Sequence, residues 1–372
     1  MSNTTQDMDL GTEEGVRTYL AETEWAGAEV IPLSGGNTNF VFRLRLIAPY
    51  RGKETIVLKH AKTYVKTFKS IVLGLERQKY EVEALKRVHG WLPGDAFVTV
   101  PEVYLFDEVA HVILMEDAGP GSITLKEFMQ TGKASLSQAQ KIGASIGAFL
   151  GGLHRWGANN KELLEVMKEH SQAVTLTAWV FYGQLVSTLT GQDPVPKLKE
   201  PPLDISKEGL KAVERVGLAA TQACLDVNDS FAMGDFWPGN MMVRTDAQGE
   251  VERIYVGDWE MAKVGLPGMD VGQFASEVHL LRRCNPETCK DTAPILLENY
   301  FKEYKAVCGP LPEVARTAIV LWGTHMVIWG PRVDWGGREI TREIVLEGVQ
   351  MLVDGWMKSE EWLKESPVGD ML

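Results

Sequence analysis

A short segment of the chain carries a carboxylate and an amide at a spacing that could serve phosphoryl transfer. It reads Phe231-Ala-Met-Gly-Asp-Phe-Trp-Pro-Gly-Asn-Met-Met-Val243, with Asp235 five positions before Asn240 across a Pro-Gly turn. Such a loop can hold the acid beside a substrate hydroxyl and point the amide oxygen at a metal, as the D-x-x-x-x-N of kinase catalytic loops does. The alternative is an ordinary turn, because Asp and Asn near glycine often only shape one.

A second acidic segment follows this loop. Ile254-Tyr-Val-Gly-Asp-Trp-Glu260 predicts a strand that ends at Asp258, 18 residues after Asn240. Mg²⁺ prefers carboxylate and amide oxygens and usually takes one or two of them from a protein, while phosphates and water complete its octahedron. Asn240 and Asp258 together therefore predict a magnesium site, although either residue alone could simply end a strand or shape a turn.

A lysine in the N-terminal part could supply the matching positive charge. Thr55-Ile-Val-Leu-Lys59 predicts an apolar strand that ends in the lysine, where an unpaired charge would be costly. Glu81, on the following predicted helix, is a suitable partner, and a lysine held by a glutamate positions phosphates in kinases. Taken alone, Lys59 would be a surface lysine whose stem covers apolar residues.

A glycine-rich turn precedes this strand. Ser34-Gly35-Gly36-Asn37-Thr38-Asn39 would let backbone amides approach a phosphate, although it could equally close an ordinary hairpin. The order along the chain favours the functional interpretation: a Gly-rich turn, a strand lysine, a helix glutamate, the acid–amide loop and a strand-end aspartate. Five weak signals in this order predict a kinase-type nucleotide site.

The N-terminal residues predict the strands that would position this site. The predicted elements are a short helix at 11–22, strands at 30–33, 40–47, 54–60, 98–106 and 111–115, and a helix at 73–88. Runs rich in Val, Ile and Phe are separated by turn residues, which is typical of antiparallel strands. This β-β-β-α-β-β order predicts one small α+β lobe over residues 1–118.

Residues 119–372 predict a larger helical lobe with the catalytic loop and the acceptor site. Ser137-x-x-Gln140 predicts a capping box that opens a helix with a buried apolar stripe. Residues 161–229 predict two or three helices, residues 231–256 predict strands and tight turns, and residues 270–372 predict further helices around a loop at 330–337. The predicted fold class is α+β, with a cleft between two lobes for the nucleotide.

The composition limits the class of protein. Of 372 residues, 45% are hydrophobic and 24% are charged, which suits a globular chain of about two domains. The 38 Lys and Arg against 50 Asp and Glu give a net charge of −12, which argues against nucleic acid or an anionic membrane as partner. Four cysteines without a C-x-x-C, and no apolar leader or membrane-length run, predict a cytoplasmic protein.

These motifs resemble the aminoglycoside phosphotransferase and choline kinase family, in its methylthioribose-kinase-like branch, and are most similar to fungal tryptamine kinases. The similarity covers about residues 12–300. It is carried by six segments, which are Leu33–Arg43, Leu46–Gly52, Ile56–Ala61, Met233–Asn240, Ile254–Glu260 and Gly268–Gly272. The resemblance implies a bilobal protein-kinase-like fold with an antiparallel N-terminal sheet, one main helix in that lobe, and ATP and Mg²⁺ as cofactors.

The resemblance also implies residue roles. Asp235 would accept or orient the proton of the acceptor hydroxyl, and Lys59 with Glu81 would position the phosphates. Asn240 and Asp258 would bind the metal, assisted by Glu260. The nucleotide would be held by backbone groups and side chains at Ser34, Gly35, Gly36, Asn37, Asn39, Lys59, Met115, Glu116 and Asp117. Asp270 would cap a helix and brace the catalytic loop rather than bind a ligand.

The chain departs from the family pattern at two positions beside Asp235. Most members have His where this chain has Met233 and Trp237, a change shared in kind with the tryptamine kinases. Methylthioribose kinases have Ser at the position of Asn240, which argues against that activity. Trp237 would narrow the acceptor site and give it an aromatic wall.

The acceptor site is expected in the helical lobe. The candidate residues are Asp235, Trp237, Glu277, His325 and Trp329, since aromatic walls with a carboxylate suit a flat, cationic aromatic alcohol. The alternative is that the late aromatic residues, Trp322 above all, only pack the core, and that His325 is a satisfied core histidine.

The sequence as a whole predicts an ATP- and Mg²⁺-dependent kinase that phosphorylates a hydroxyl of a small secondary metabolite, such as a tryptamine. Methylthioribose, choline or another small alcohol are alternative acceptors. A nucleotide-binding pseudokinase and a kinase-like fold with another reaction are the alternative functions. The sequence leaves open whether the protein is a monomer or a homodimer.

Overall fold

The computed structural model describes residues 9–34, 36, 38–66 and 68–372. These residues form two compact units, of which the first contains the chain up to Ser122 together with Tyr255–Glu260. The second contains Ile123–Ile254 and Met261–Leu372. The assignment of the nucleotide to residues 1–118 and of the acceptor to residues 119–372 stays a prediction.

The first unit is built on a five-stranded antiparallel sheet, whose strands lie side by side in the order Glu29–Pro32, Phe40–Tyr50, Lys53–His60, Val112–Glu116 and Val103–Asp107. Its strands are Glu29–Pro32 (β1), Phe40–Tyr50 (β2), Lys53–His60 (β3), Tyr64–Val65 (β4), Phe68–Val72 (β5), Val98–Thr99 (β6), Val103–Asp107 (β7) and Val112–Glu116 (β8). Its helices are Glu13–Leu20 (α1) and Arg77–Trp91 (α2). Strands β4 and β5 form a separate hairpin.

Both faces of this sheet are covered, which explains why β8 is buried at every position. Because side chains alternate along a strand, Val112 and Leu114 of β8 join one apolar cluster with α1. Ile113 and Met115 join another cluster with Val82 of α2. The same alternation in β3 turns Val57 and Lys59 toward the α2 side, so that the lysine side chain meets a helix rather than solvent.

Two expectations for the first unit were wrong. The helix predicted from residue 73 begins at Arg77, because residues 68–72 extend as a strand and the N–H of Leu73 donates to the carbonyl of Thr63. The β4–β5 hairpin was not predicted, and the strand predicted at 98–106 is two short strands. The remaining strands of the sheet follow one another along the chain in the predicted order.

The second unit is mainly helical, and across the described residues none of the helices is both long and apolar enough to cross a membrane. Its helices are Leu125–Gln130 (α3), Leu136–Ala158 (α4), Lys161–Lys168 (α5), Ser171–Ala178 (α6), Leu185–Thr190 (α7), Pro196–Lys199 (α8), Lys207–Asp226 (α9), Pro267–Cys284 (α10), Pro286–Cys289 (α11), Thr292–Cys308 (α12), Pro312–Ile328 (α13), Arg338–Met357 (α14) and Glu360–Glu365 (α15). Trp179–Gly183 forms a π-helical turn, while Pro238–Asn240 and Gly369–Met371 form 3₁₀ turns.

Short strands complete the second unit. They are Ile123–Thr124 (β9), Phe231–Ala232 (β10), Met241–Thr245 (β11), Val251–Val256 (β12) and Lys263–Val264 (β13), with the last two residues of β12 counted in the first unit. Strand β11 pairs with β9, and β10 pairs with β13. These pairings bring the chain on either side of the catalytic loop next to distant segments.

Three details of this unit differ from the sequence expectations. The capping box that opens α4 is formed by Ser135 and Gln138 rather than by Ser137 and Gln140. Residues 161–229 contain five α-helices and a π turn, because several breaks fall at residues other than Gly or Pro. Asp270 lies inside α10, whose N-cap is Leu266, so its predicted capping role is wrong.

Glycines allow helices of the second unit to touch through their backbones. A Cβ atom at Gly143 of α4 would lie 2.1 Å from the carbonyl oxygen of Leu296, and one at Gly147 would lie 2.2 Å from that of Tyr300. Both carbonyls belong to α12. Such distances are far below van der Waals contact, so the packing of α4 on α12 depends on the missing side chains.

We expect Gly147→Ala to lower the free energy of unfolding by about 1–3 kcal/mol, because the added methyl must push α4 away from α12. The matched control is Gly90→Ala in α2, where a Cβ would meet nothing within 4 Å. That change should be neutral or raise stability by about 0.5–1 kcal/mol, since alanine favours helix over glycine. Thermal or urea unfolding measures both, and equal effects would contradict this account of the packing.

Candidate active site

Lys59 is buried in the first unit among carboxylates. The residue is only 6% exposed, and its ammonium lies 2.6 Å from Glu81 Oε1 and 2.5 Å from Asp258 Oδ1. The alternation of β3 points it toward α2, where Glu81 stands next to the packed Val82. The structure therefore brings together the predicted lysine–glutamate pair and adds the predicted metal ligand Asp258 to it.

Burial and charge compete at this cluster. Burial disfavours the ammonium of Lys59, but the carboxylates of Asp258, Glu81 and Glu260 outweigh it and raise the pKa of the lysine. Burial also raises the pKa of Glu81 to about 7; Lys59 opposes this shift, while Asp258 and Glu260 add to it. The lysine thus stays charged at neutral pH, and the helix glutamate is the group of this pair that titrates there.

The acids around Lys59 have the chemistry of a cation site. One carboxylate oxygen from each of Glu81, Asp258 and Glu260 lies within 4.8 Å of the others. Against these three carboxylates stand the cations of Lys59 and Arg77, so the cluster keeps one formal negative charge once Glu81 is ionised, above its pKa of about 7. Among the described residues, Glu81 Oε2 is buried without a hydrogen-bond partner. Hard oxygen ligands with an excess negative charge fit Mg²⁺.

Asp258 holds an unusual backbone conformation, with φ of +60°. Only a few per cent of residues other than glycine adopt this region, and such strain persists where surrounding contacts impose it. The next indole, Trp259, is fully buried and its N–H donates to the carbonyl of Val256 at 2.9 Å. These contacts turn the strand-end carboxylate toward Lys59 while 36% of that side chain remains exposed.

Glu260 belongs to a buried network that the sequence did not indicate. Its Oε2 accepts hydrogen bonds from Arg77 Nε at 2.9 Å and from Asn39 Nδ2 at 2.8 Å. Arg77 also donates to Asn39 Oδ1 at 3.0 Å. The side chains of Asn39 and Glu260, proposed for nucleotide and metal respectively, therefore tie the end of the glycine-rich turn to the acidic segment.

The other predicted nucleotide residues lie in two places. Ser34 and Gly36 are exposed in the turn before β2, whereas Gly35 and Asn37 lie outside the described residues. At the end of β8, Met115 is buried in the sheet and Glu116 Oε1 accepts from Lys53 Nζ at 2.6 Å.

The carboxylate that follows β8 is held by an arginine. Asp117 accepts two hydrogen bonds from Arg43, at 2.5 and 3.1 Å, and one from the N–H of Gly119. Burial opposes its charge, but these donors lower the pKa of Asp117. This segment, which is predicted to hold the nucleotide, is thus anchored to β2 through Arg43.

The catalytic loop of the second unit orients both oxygens of Asp235. Gln273 Nε2 donates to Oδ1 at 2.7 Å, and Asn240 Nδ2 donates to Oδ2 at 2.8 Å. Asn240 also donates to the main-chain carbonyl of Asp235 at 3.0 Å, which closes the turn. With its nitrogen engaged in this way, Asn240 has its amide oxygen left to accept or to coordinate.

A buried acid braces the same loop from behind. Asp270, fully buried, accepts the N–H of Met233 at 2.7 Å, the N–H of Gly234 at 2.8 Å and His154 Nε2 at 3.1 Å. The predicted bracing role of Asp270 is therefore present in the structure. Because the contact at Met233 uses the backbone, the loop does not need a histidine side chain at that position.

The predicted acceptor residues separate into a cluster and an outlier. His325 Nε2 lies 2.8 Å from Glu277 Oε1, and the ammonium of Lys126 lies 3.1 Å from Glu277 Oε2. That ammonium also lies 5.4 Å from the ring centroid of Trp237. Trp329, by contrast, is half-buried against the helical core.

The sequence missed Lys126, Gln273 and Arg77, each of which contacts at least one of the predicted residues. Gln273 could have been found, because it lies three residues after Asp270 and shares its face of a helix. Lys126 and Arg77 had no local signal, since their partners lie 151 and 183 residues away. The expectation that Trp322 packs the core is confirmed by its 1% exposure.

Residues 30–314 of this chain match the phosphotransferase enzyme family. A 4-hydroxytryptamine kinase of Psilocybe cyanescens is 31% identical over 353 residues, which cover 92% of each chain. A 4-hydroxytryptamine kinase of Psilocybe cubensis is 28% identical over 361 residues, which cover 93% of each chain.

A solved structure supports the fold. Amicoumacin kinase hAmiN, in complex with AMP-PNP, Ca²⁺ and Ami, has a TM-score of 0.50 and 10% sequence identity, over 92% of this chain and 94% of that one. The predicted kinase-like α+β fold class and the prediction of a phosphotransferase are confirmed. The chain belongs to the phosphotransferase enzyme family.

Proposed function

We propose that this chain transfers the γ-phosphoryl group of ATP, bound with Mg²⁺, to a hydroxyl of a small, flat aromatic acceptor. The observation that carries the proposal is the orientation of Asp235, whose two carboxylate oxygens are each held by an amide N–H. A carboxylate fixed in this way can accept the proton of an acceptor hydroxyl as its oxygen attacks phosphorus.

Lys59 supplies the positive charge for the phosphates. Its ammonium has three donors, and Glu81 and Asp258 occupy two of them in the first unit. Held between these acids, the ammonium needs no reorganisation before a nucleotide oxygen takes the remaining donor. Positioning and charge neutralisation are the main protein contributions to phosphoryl transfer.

Asp258 and Asn240 are the metal ligands that we propose, with Glu260 as a supporting acid. When bound, Mg²⁺ would neutralise the charge that develops on the phosphate oxygens. Asp258 is suited to this role because it is half-exposed and already aligned by its backbone, whereas Glu260 is buried and bonded to Arg77 and Asn39. Glu260 then acts by holding the acidic segment against the glycine-rich turn.

The proposed acceptor is a hydroxyl-bearing indole or a similar secondary metabolite. Trp237 stands two residues after Asp235, so its indole provides an aromatic wall beside the oriented carboxylate. The fungal relatives named 4-hydroxytryptamine kinases make a 4-hydroxyindole the first acceptor to test. At about 30% identity, the substituent next to the ring can differ from that of the relatives. A cytoplasmic location and the absence of nucleic-acid partners stay predictions.

We expect Asp235→Asn to lower kcat with a hydroxyindole acceptor by about 10²–10⁴-fold, because the amide cannot take the hydroxyl proton. The matched control is Asp229→Asn, an exposed aspartate six residues earlier, which should leave kcat unchanged. Steady-state formation of phosphorylated product measures both variants. Equal turnover by wild type and Asp235→Asn would refute the assigned role.

ATP should stabilise the protein only together with Mg²⁺. A ligand that binds the native state at 100 times its Kd adds about 2.7 kcal/mol to the free energy of unfolding. We expect this shift in a thermal melt of wild type and of Asp235→Asn alike, and expect EDTA to remove most of it and all phosphoryl transfer. A shift of equal size without the metal would argue against the proposed ligands Asp258 and Asn240.

The pH dependence of stability should report on Glu81. Its pKa of about 7 in the folded protein exceeds its usual 4.5, so this carboxyl contributes stability that is full below pH 4.5 and is lost as the pH rises through 7. Glu81→Gln removes that loss. The Tm of this variant relative to wild type should therefore rise by about 2–5 °C between pH 5 and pH 8.

The control for this pH effect is Glu83→Gln on the same helix, where the side chain is 32% exposed. Its Tm difference from wild type should stay constant over the same range. A constant difference for Glu81→Gln as well would show that Glu81 is already ionised at pH 5.

A further inference from the structure

An ammonium from the chain itself fills the aromatic and acidic niche next to the catalytic loop. Lys126 Nζ lies 3.7 Å from the ring centroid of Trp335, 5.4 Å from that of Trp237 and 3.1 Å from Glu277 Oε2. Two indole faces and a carboxylate form the environment that recognises an organic cation. In this chain, that environment is already neutralised by a lysine.

The fold places this niche beside Asp235. Strand β9 ends at Thr124 and pairs with β11, which begins immediately after Asn240, so Lys126 emerges next to the catalytic loop. From the other side, α10 supplies Gln273 to Asp235 and, one turn later, Glu277 to Lys126. Four residues of α-helix rise about 6 Å, which is the scale of an indole ring.

The charge balance of the niche is complete without a ligand cation. Glu277 is 4% exposed and its pKa is lowered, because His325 and Lys126 outweigh the effect of burial. A free ammonium entering here would face the like charge of Lys126 and compete with a tethered group, whose effective concentration is in the millimolar range. An acceptor carboxylate, or a neutral polar group, would instead meet an available donor.

Two polar atoms of the niche are buried but make no hydrogen bond within the described part of the chain. Among the residues that the structure describes, His325 Nδ1 and Trp335 Nε1 make no hydrogen bond, although the two side chains are only 3% and 6% exposed. Buried polar groups are rarely left unsatisfied in native proteins. Phe181, in the π-helical turn, covers His325 with ring centroids 6.1 Å apart. Such turns are frequent at functional sites.

We propose that Lys126 is a specificity-determining residue, which selects an acceptor with an anionic or neutral substituent in place of an ammonium. This inference rests on the proposed function, because it takes the acceptor hydroxyl to lie at Asp235 and the substituent to lie at Lys126. The acceptor is then an acidic or uncharged aromatic alcohol, in place of the cationic one that the sequence predicts.

Three indoles that differ in one substituent test the proposal, namely 4-hydroxyindole-3-acetate, 4-hydroxyindole and 4-hydroxytryptamine. Their Kd values, from the change in tryptophan fluorescence, are measured for wild type, Lys126→Leu, Lys126→Arg and the control Lys133→Leu, which removes an exposed lysine of the same unit. Wild type, Lys126→Arg and Lys133→Leu should bind the acetate at least about 10-fold more tightly than the amine.

Lys126→Leu should reverse this preference, because Glu277 is then free to pair with the ammonium of the ligand. Wild type that prefers the amine, a preference that Lys126→Leu leaves unchanged, or no binding of any of the three indoles would each overturn the inference. Phosphoryl transfer is measured separately with ATP and Mg²⁺. Binding with the expected reversal but without phosphorylated product would refute the proposed function and leave the role of Lys126 standing.

Discussion

The buried carboxylate of Asp270 fixes the position of Asp235, the residue proposed as the catalytic acid. It accepts two successive backbone N–H groups, those of Met233 and Gly234, and Asp235 is the next residue. Gly234 has φ of +84°, and a Cβ there would lie 2.4 Å from the carbonyl oxygen of Met261, so the backbone has little room to take another path. The loop is held in place by the side chain of Asp270 and by the close approach of the turn at Met261, which precedes β13.

The same helix that carries Asp270 also sets the geometry beyond the loop. Gln273 orients Asp235, and Glu277 meets Lys126, so three consecutive turns of α10 each contribute one polar side chain. Helix α10 can hold these positions because Gly272 lets it approach α13, where an added Cβ would lie 2.2 Å from the carbonyl oxygen of Ala318. Close helix packing is therefore what gives the site its precision.

The buried charges around Lys59 are compensated differently from that of Asp270, which accepts backbone N–H groups. There the acids are compensated by side chains, namely those of Lys59, Arg77 and Asn39. Since three carboxylates face two cations, the cluster is left slightly acidic. Because an uncompensated buried charge is costly, a bound divalent cation would balance the remaining acid.

The sequence predicts most of the sheet and two sets of neighbouring side chains, because each depends on local patterns. These sets are Lys59 with Glu81 and Asp258, and Asp235 with Asn240. Strand alternation predicts which way Lys59 points, and the loop composition predicts the turn between Asp235 and Asn240. The start of α2 and the helices of residues 161–229 were mispredicted, since propensity did not reveal that residues 68–72 pair as a strand or that breaks occur without Gly or Pro.

Two of the residues that sequence analysis missed share one physical feature. Lys126 and Arg77 contact partners 151 and 183 residues away in the chain, so their roles arise only when packing brings distant segments together. In the sequence alone, the aromatic residues and Glu277 indicate a site for a cation. One lysine, placed by the pairing of β9 with β11, changes the charge of the same niche. Acceptor specificity in such a fold can therefore change through a single cation, while the groups that handle the phosphoryl transfer stay as they are.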